Sequence, residues 1–506
     1  MSAGPLTEYN GTSGVANNGG DALIEDLNYV GISHTRARPR PNYRIYSEGN
    51  PLPNIILIRQ AGDFAWILTS SALVLLMVPG VGFFYSGLAR RKSALALIWL
   101  SMMSIAVVGF QWFFWGYSLA FSHTGSSFIG DLSNFGLMKV LGQPSVGSSK
   151  VPDLLFCLYQ GMFAAITPAL AIGAAADRGR MLPAVVFIFI WTTIVYDPLA
   201  YWTWNPNGWS YKLGGLDFAG GTPVHISSGA AALAYSLMLG KRTGYDKVHG
   251  LPYRPHNVTH VVLGTVFLWV GWFGFNGGSA LAGNLRAVMA CIVTHIAACV
   301  GGFTWCLMDY RLEKKWSTVG FCSGAISGLV AITPASGFVA PWAAVIFGVC
   351  GAIACNLATS LKFFMGIDDA LDIFAEHGVG GIVGNLLTAL FASNYIAHLD
   401  GTTEIAGGWL NHNYVQLGYQ IADCCAGISW SFVVTCIILF VMNLIPGLSL
   451  RVTAEEEQRG LDDSDLGEFC YDFVEIRREV SDVIGGQPEE AGSSRGSLRQ
   501  VPEKTA

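Results

Sequence analysis

The feature that most constrains this chain is a succession of long apolar segments separated by short charged connections. An α-helix needs about 20 predominantly apolar residues to cross the hydrocarbon core of a bilayer. Charged residues make up 13% of the sequence and hydrophobic residues 52%, whereas a soluble domain carries about 25% charged residues. Eleven segments have the required length: 62–88, 94–121, 152–175, 181–202, 222–240, 258–277, 286–308, 319–335, 338–360, 371–393 and 418–445. The sequence therefore predicts an all-α polytopic membrane protein with eleven transmembrane helices.

Lysine and arginine are concentrated in alternate connections between these segments. One set of connections holds Arg90, Arg91, Lys92, Arg178, Arg180, Lys241, Arg242, Lys247, Arg254, Arg311, Lys314, Lys315 and Lys362. The other set holds only Lys139, Lys150, Lys212 and Arg286. Because cytoplasmic loops carry the excess of positive charge, we expect the N-terminus outside and the C-terminus inside. This divides the chain into an extracellular, partly disordered tail (1–61), a transmembrane domain (62–445) and a cytosolic regulatory tail (446–506).

An internal echo relates the two halves of the membrane domain. The run Gly82–Gly87 in the first segment resembles Gly274–Ser279 in the sixth. Five segments separate the two runs, so equivalent helices would cross the bilayer in opposite senses. Transporters with inverted repeats place their path between the repeats. We therefore expect a 5+5 inverted repeat followed by one C-terminal helix.

Two histidines, His225 and His377, lie in otherwise apolar stretches, one in the last segment of each half. An ionisable side chain at bilayer depth is costly and marks a substrate or proton path by default. A single such histidine is often only a packing residue, but a pair in matching halves favours a path. In contact, two neutral imidazoles could pass a proton along, since each has one donor and one acceptor nitrogen. His295, in the seventh segment, has no counterpart and is interpreted as structural.

Asp217 stands at the start of the fifth segment, eight residues before His225, so we expect His225 to lie about 12 Å deeper on nearly the same helix. Its carboxylate can accept backbone N–H groups as a helix N-cap. It can equally favour an approaching cation or proton, and the two roles are compatible. Trp204, Trp272 and the phenylalanines discussed below are either interfacial aromatics or faces that attract a desolvated cation, by about 2 kcal/mol.

The C-terminal tail turns polar and acidic after Pro446. Ser464 among acids, and Ser497 two residues after Arg495, are candidate phosphorylation sites, because added charge can move such a segment. An unmodified, solvated tail is the alternative at either serine. Asn10-Gly11-Thr12 is a glycosylation sequon on the expected outer side, which predicts a glycoprotein. Asn257 also matches the sequon but falls on the inner side, so we expect it to be unmodified.

Several classes of function find no support in the sequence. The 11 cysteines form no CxxC pair and no metal-ligand spacing, so no metal or cofactor is predicted. No nucleotide-binding loop and no catalytic constellation is present, which disfavours an enzyme, and nothing indicates nucleic acid. The polar, glycine-rich start disfavours a cleaved signal peptide.

Four strings together resemble the Amt/Mep/Rh ammonium transporter family. They are Leu76–Leu88, Asp217–His225, Trp272–Asn276 and His377–Val379, in the family's order. The similarity extends over roughly residues 62–475. The run Arg90–Leu95 and the tail resemble the fungal Mep branch. The resemblance implies a plasma-membrane homotrimer, surrounded by lipid, with one pore in each subunit.

The resemblance also implies roles for individual residues. Trp204 and Ser279 would form an outer recruitment site, and Phe163 and Phe275 a stacked gate below it. His225 and His377 would be the twin histidines of the pore, and Asp217 the acidic residue that supports conduction. Gln160, Trp272 and Asn276 would support the pore. Tyr159 stands where many relatives have phenylalanine, so its role is less defined.

These roles together imply a high-affinity ammonium permease that serves nitrogen utilization, with methylammonium as an analogue. Burial disfavours the charged form of an amine, so NH4+ would lose its proton and cross as NH3 while the proton follows the histidines. An electrogenic carrier and a gas-like channel both remain open. A Rh-type ammonia or carbon dioxide channel is an alternative, which the presence of Trp204 disfavours. A nutrient sensor is a further alternative, and a kinase acting on the tail is an expected partner.

Overall fold

The computed structural model describes residues 46–47, 50–51, 61–245 and 254–471. Two short strands, β1 (Tyr46–Ser47) and β2 (Asn50–Pro51), pair antiparallel. Residues 61–470 belong to one compact unit, and its described part is helical. The predictions for Asn10, Ser497 and most of the N-terminal tail lie outside the described residues.

The helices follow the predicted segments closely. Their bounds are α1 Ala61–Leu88, α2 Ala94–Gln111, α3 Tyr117–Phe121, α4 Asp153–Ala171, α5 Met181–Trp191, α6 Asp197–Trp204, α7 Trp209–Leu213, α8 Ser227–Leu239, α9 Val258–Gly278, α10 Leu285–Glu313, α11 Thr318–Ile332, α12 Pro341–Ala358, α13 Leu361–Met365, α14 Gly380–Phe391, α15 Asn394–Ala397, α16 Gln416–Leu444 and α17 Ala454–Arg459. Wider π-helical turns join or extend several of them, at Trp112–Gly116, Thr192–Tyr196, Gly221–Ile226, Phe374–Val379 and Asp462–Leu466. The second and fourth predicted segments are therefore each two helices joined by a π-turn.

Among the described residues, nine helices are long and apolar enough to cross a membrane. A tenth is obtained if Phe374–Phe391 and Asn394–Asp400, which meet at a bend of 102°, form one span. The predicted fifth segment, now Gly221–Leu239, is not among them. It is rich in glycine, alanine and serine, and most of its residues are buried against other helices. A helix shielded from lipid on most sides does not need the apolar side chains that a lipid-facing helix needs.

Helices α1 and α9, the first of each half, pack closely and antiparallel. A Cβ added to Gly87 would lie 2.7 Å from the backbone nitrogen of Val261, and one added to Gly274 would lie 2.8 Å from the carbonyl oxygen of Ser70. Small residues let two membrane helices approach this closely. The two helices that carry the internal echo thus run in opposite senses, in agreement with an inverted repeat.

An ionic cluster joins the loops at the end of the bundle where the tail lies, which we call the tail end. The guanidinium of Arg242 donates from Nε and Nη2 to the two carboxylate oxygens of Asp368, both at 2.8 Å. Its Nη1 donates to Asp177 at 3.0 Å. Arg178, which is fully buried, donates to the carbonyl oxygen of Asp368 at 2.7 Å. Bidentate pairs of this kind are strong and directional, so they hold three loops in one arrangement.

The tail packs against the same end through its acidic residues. Asp462 accepts hydrogen bonds from the backbone N–H groups of Leu95 and Ala96 at the start of α2, at 3.1 and 2.8 Å. Asp465 accepts from the N–H of Met181 at the start of α5, at 3.0 Å. Each carboxylate therefore satisfies a helix N-terminus from a distant part of the chain. Burial raises the pKa of the Asp462 carboxyl, and the N–H donors offset part of that rise.

We expect Asp462→Ala to release the tail. The N–H groups of Leu95 and Ala96 at the start of α2 would lose their acceptor, and loss of a capping side chain costs about 1 kcal/mol. Limited trypsin digestion of the purified protein would report this as faster cleavage after Arg459. Asp463→Ala is the matched control, because Asp463 only forms a solvent-exposed ion pair with Arg459 at 2.8 Å, a contact of little energetic weight. Equal cleavage rates in the two variants would contradict the capping role.

Candidate functional site

The two histidines predicted from the sequence lie in direct contact. Nδ1 of His225 is 3.2 Å from Nδ1 of His377, and the ring centroids are 5.3 Å apart with an interplanar angle of 21°. Both side chains are buried, with 1% and 5% of their surface exposed. One Nδ1 must carry a hydrogen and the other must accept it, since two acceptors or two donors would repel. Nε2 of His225 has no hydrogen-bond partner within the described part of the chain.

Glycine brings the two helices close enough for this contact. A Cβ added to Gly229 would lie 2.5 Å from Cα of Gly378 and would overlap its backbone nitrogen. Gly378 directly follows His377, and Gly229 lies one turn beyond His225. Both histidines belong to π-helical turns, Gly221–Ile226 and Phe374–Val379. Such turns often occur at functional sites, and here they place both rings at the crossing.

The imidazole pair lines a narrow cavity that is otherwise almost entirely apolar. Its walls are formed by Met77, Val81, Phe84, Tyr85, Ile166, Leu170, Val224, Leu268, Trp272, Phe275 and Ile326, together with the two histidines. These residues come from both halves of the chain. A cation would have few groups here to replace its water, whereas a small neutral molecule could hydrogen-bond to an imidazole nitrogen.

Aromatic side chains close one end of this cavity. The rings of Phe163 and Phe275 stack, with centroids 4.2 Å apart and an interplanar angle of 27°. Trp204 meets Phe163 edge to face at 6.0 Å, and its Nε1–H donates to the carbonyl of Asp217 at 3.1 Å. The hydroxyl of Tyr159 lies 2.8 Å from the carbonyl oxygens of Gly274 and Phe275. Ser279 donates to the same Phe275 carbonyl at 2.9 Å. We call this end of the bundle the Trp204 end.

Asp217 lies in the loop before the π-turn Gly221–Ile226, and it caps that turn, which leads into α8. Its Oδ1 accepts from the N–H groups of Gly220 and Gly221 at 2.8 and 2.7 Å, and its Oδ2 accepts from Thr222 at 2.7 Å. The capping geometry expected from the sequence is therefore present. The helical turns begin only at Gly221, with the π-turn that leads into α8, because Gly220 has φ +115°. The eight-residue spacing predicted that Asp217 and His225 lie along nearly the same helix. This prediction is wrong, because Asp217 lies in the loop before the first helical turn.

The remaining predicted residues surround the pore without lining it, except Trp272. Trp272 stacks on His225 with centroids 5.5 Å apart, and its Nε1–H donates to Thr333 at 2.9 Å. Asn276 is fully buried and donates to Thr294 at 2.8 Å. Gln160 is also buried, and its Oε1 has no partner among the described residues.

Sequence reasoning missed a second carboxylate behind Asp217. Asp423 of α16 is 4% exposed and accepts hydrogen bonds from the hydroxyls of Ser210 and Thr222. Thr222 in turn accepts from Nδ2 of Asn385 at 2.8 Å. The isolated aspartate in an apolar segment was a usable signal. Its partner could not have been named, since 201 residues separate it from Thr222.

Tyr85 is a further missed residue. It lines the cavity with the histidines, and its hydroxyl donates to the carbonyl of Leu170 at 2.9 Å. The sequence places it inside a glycine-rich run, where a tyrosine hydroxyl at bilayer depth would have been the signal.

A helical membrane protein with a buried, apolar, histidine-lined passage between two oppositely oriented halves is a transporter or channel for a small solute. Residues 65–471 match the model of the Ammonium Transporter Family, and the chain belongs to that family. The expected resemblance is thereby confirmed, and the protein has the function of an ammonium transporter.

Individual relatives agree with this assignment. Ammonium transporter 1 of Schizosaccharomyces pombe is 64% identical over 448 residues, which cover 88% of this chain and 89% of that protein. The crystal structure of Candida albicans Mep2 is 55% identical, with a TM-score of 0.76, and the match covers 79% of this chain and 88% of that chain. A solved structure of a sensor Amt protein is 29% identical, with a TM-score of 0.72, over 79% of this chain and 97% of that chain.

We expect Gly229→Ala to impair ammonium transport while the protein still reaches the membrane. The added methyl group would push the Gly378 backbone away and separate the two imidazoles, and overpacking of this kind costs about 1–3 kcal/mol. Ammonium uptake by transporter-deficient cells is the measurement. Gly418→Ala is the control, because an added Cβ there meets nothing within 4 Å. Equal uptake by both variants would show that the close crossing is unnecessary.

Proposed function

We propose that this chain is a high-affinity ammonium permease that recruits NH4+ at the Trp204 end and passes NH3 and H+ separately along the histidine pair. The observation that carries the proposal is the contact between two buried imidazoles directly below a stacked pair of phenylalanines. No other arrangement of described residues combines a proton-exchanging pair with an apolar passage.

Recruitment would depend on the aromatic residues and on Asp217. Trp204 offers its ring face to a cation, an attraction of about 2 kcal/mol when water is removed. The Trp204 indole donates to the backbone carbonyl of Asp217, and the Asp217 carboxylate holds the adjoining turn through three backbone N–H groups. Ser279 and Tyr159 supply hydroxyl oxygens beside the same entrance, while Gln160, Trp272 and Asn276 hold the surrounding helices.

The passage itself would transfer a neutral molecule. Beyond Phe163 and Phe275, the walls offer no charged group that could replace the hydration shell of NH4+, so the charged form is strongly disfavoured. Ammonia would hydrogen-bond to the imidazoles, and the released proton would move between their nitrogen atoms. Potassium has no proton to release, so the same passage would exclude it.

The basic connections support the expected orientation, and the shielded segment Gly221–Leu239 supports an eleventh crossing. The basic connections at Arg90, Arg178 and Arg242 meet at the tail end, which places that end on the cytoplasmic side by the distribution of positive charge. The Trp204 end would then face outward, with the 1–61 tail and its Asn10 sequon. Gly221–Leu239 would be the fifth of eleven spans, shielded from lipid by its neighbours.

The exposed position of His295 supports a homotrimer. It lies ten residues into α10, about 15 Å along the helix, and packs beside Trp269 with centroids 5.6 Å apart. It nevertheless belongs to the exposed face that includes Val288 and Phe303. An ionisable ring facing lipid at this depth is costly. A neighbouring subunit that covers α10 would remove this cost, which gives His295 the structural role expected from the sequence.

The tail would regulate transport as a cytosolic domain, with a kinase as its partner. Ser464 lies between Asp462 and Asp465, and its buried Oγ has no hydrogen-bond partner among the described residues. A phosphate there would add negative charge beside two carboxylates and disfavour docking. A sensing role alongside transport would use the same pore and tail, so it is retained as the second candidate function.

We expect His225→Ala either to reduce ammonium transport by about 100-fold, the contribution of a well-placed proton-transfer group, or to admit potassium. Currents evoked by ammonium and by potassium, recorded with methylammonium uptake, would separate the two outcomes. His398→Ala is the control, because that histidine is exposed and lies outside the cavity. Unchanged uptake and selectivity in His225→Ala would remove the imidazoles from the mechanism.

We expect Trp204→Leu to weaken recruitment without abolishing transport. Loss of about 1–2 kcal/mol of cation–π attraction corresponds to a rise of about tenfold in the half-saturating ammonium concentration. The concentration dependence of uptake measures this change. Trp342→Leu is a suitable control, since Trp342 is 54% exposed and its ring packs on Phe391, outside the Trp204 aromatic cluster. A fall in maximal rate at unchanged half-saturation would contradict a recruitment role.

A further inference from the structure

A second polar group lies away from the pore, between α2 and the α5–α6 span. Asp197 and Gln111 are both fully buried. Nε2 of Gln111 donates to Oδ2 of Asp197 at 2.6 Å and to the hydroxyl of Thr193 at 3.1 Å. A carboxyl group of one span thus meets an amide of another at bilayer depth. Such intramembrane polar residues are functional candidates by default.

The backbone of both spans is shaped around this contact. Gln111 is the last residue before the π-turn Trp112–Gly116, and Asp197 is the first residue after the π-turn Thr192–Tyr196. A Cβ added to Gly116 would lie 2.8 Å from Nε2 of Gln111 and 2.9 Å from its Cδ. The amide therefore lies flat against the glycine backbone. With both its N–H groups engaged, its orientation is determined.

Two oxygen atoms in this contact lack partners. Oδ1 of Asp197 and Oε1 of Gln111 are both buried without a hydrogen bond among the described residues. The other polar atoms of the same two groups, Oδ2 of Asp197 and Nε2 of Gln111, form the 2.6 Å bond. An ionised carboxylate would leave both oxygens as unpaired acceptors, and it would carry a buried charge with a single amide donor. Both consequences are costly in hydrocarbon.

The surroundings of Asp197 supply no compensating charge. Within the described ranges, Asp197 takes part in no ion pair. The titratable group that adjoins it is the phenol of Tyr196, which is neutral. The facing side chains of α2 and its π-turn are Gln111 and Trp115, whose indole donates to Thr193 at 3.0 Å. The contact is therefore balanced only if the carboxyl group is itself neutral.

The geometry points to Asp197 as a proton-binding site, a neutral carboxylic acid that forms a cyclic pair with the Gln111 amide. Oδ1–H would donate to Oε1 of Gln111, while the amide N–H donates to Oδ2. One proton then satisfies both orphaned oxygens. This proton is held outside the pore and joins the second and fourth spans, the latter of which carries Trp204. The inference does not rest on the proposed transport mechanism.

Infrared difference spectroscopy of the full-length protein in lipid nanodiscs tests the proposal. At neutral pH, the wild type is expected to show a protonated-carboxyl C=O band that is lost in Asp197→Asn. Asp153→Asn is the matched control. Asp153 is equally buried but contacts three side chains, Tyr117 at 2.9 Å, His123 at 3.1 Å and Gln143 at 2.9 Å. Its loss is expected to change only the ionised-carboxylate region. A carboxylate-only difference for Asp197→Asn would overturn the proposal.

Stability measurements give an independent test. Asp197→Asn should keep the wild-type unfolding temperature and ammonium transport, because an asparagine amide can form the same cyclic pair. Gln111→Leu should lower the unfolding temperature and shift the C=O band, since the acid loses its partner. An unmoved band in Gln111→Leu would show that the acid does not bond to the Gln111 amide and would overturn the proposed cyclic pair. So would a sodium- or potassium-dependent rise in the unfolding temperature that is lost in Asp197→Asn, because that result would identify a cation site.

Discussion

The close crossing of α8 at Gly229 with the π-turn before α14 at Gly378 is the contact on which the rest of the site depends. Without side chains at these two positions, the backbones approach until His225 and His377 touch. Everything else in the passage is arranged around that contact. The indole of Trp272 stacks on one imidazole, the stacked phenylalanines close one end, and apolar residues of both halves complete the wall. The two π-turns, Gly221–Ile226 and Phe374–Val379, contain the two histidines and place both rings at this crossing.

A second principle is that several buried carboxylates in this protein are matched to definite sets of donors. Asp217 accepts three backbone N–H groups, and Asp423 behind it accepts two hydroxyls. Asp462 caps α2 from the tail. Polar groups removed from water are costly unless paired, so each of these contacts specifies one arrangement of distant segments. Asp197 accepts one amide N–H, and both its Oδ1 and the Oε1 of that same amide lack partners among the described residues; this pairing of orphaned oxygens is what assigns a proton to it.

The tail and the pore are linked through the loops at the tail end. Asp462 and Asp465 hold the first residues of α2 and α5, and Glu457 accepts from the N–H of Thr243 at 2.7 Å. Thr243 directly follows Arg242, whose guanidinium pairs with Asp368 at the approach to the His377 helix. A change in tail docking can therefore reach the pore helices through packed, hydrogen-bonded contacts. These contacts are the route by which the regulation proposed for the tail would act on the pore.

The sequence by itself determined the membrane class, the positions of most helices and the family, and it predicted the histidines and aromatics that the structure brings together at one cavity. These properties are local, because segment length, charge placement and short motifs can be read within a few tens of residues. Only the tertiary structure decided that the two imidazoles touch, that Asp423 bonds to Thr222 beside Asp217, and that Asp197 meets Gln111. These contacts join residues 152, 201 and 86 positions apart, and no local period encodes them. The tertiary structure likewise decided that the helical turns before α8 start at Gly221. The conformation of Gly220 and the capping carboxylate of Asp217 fix that start.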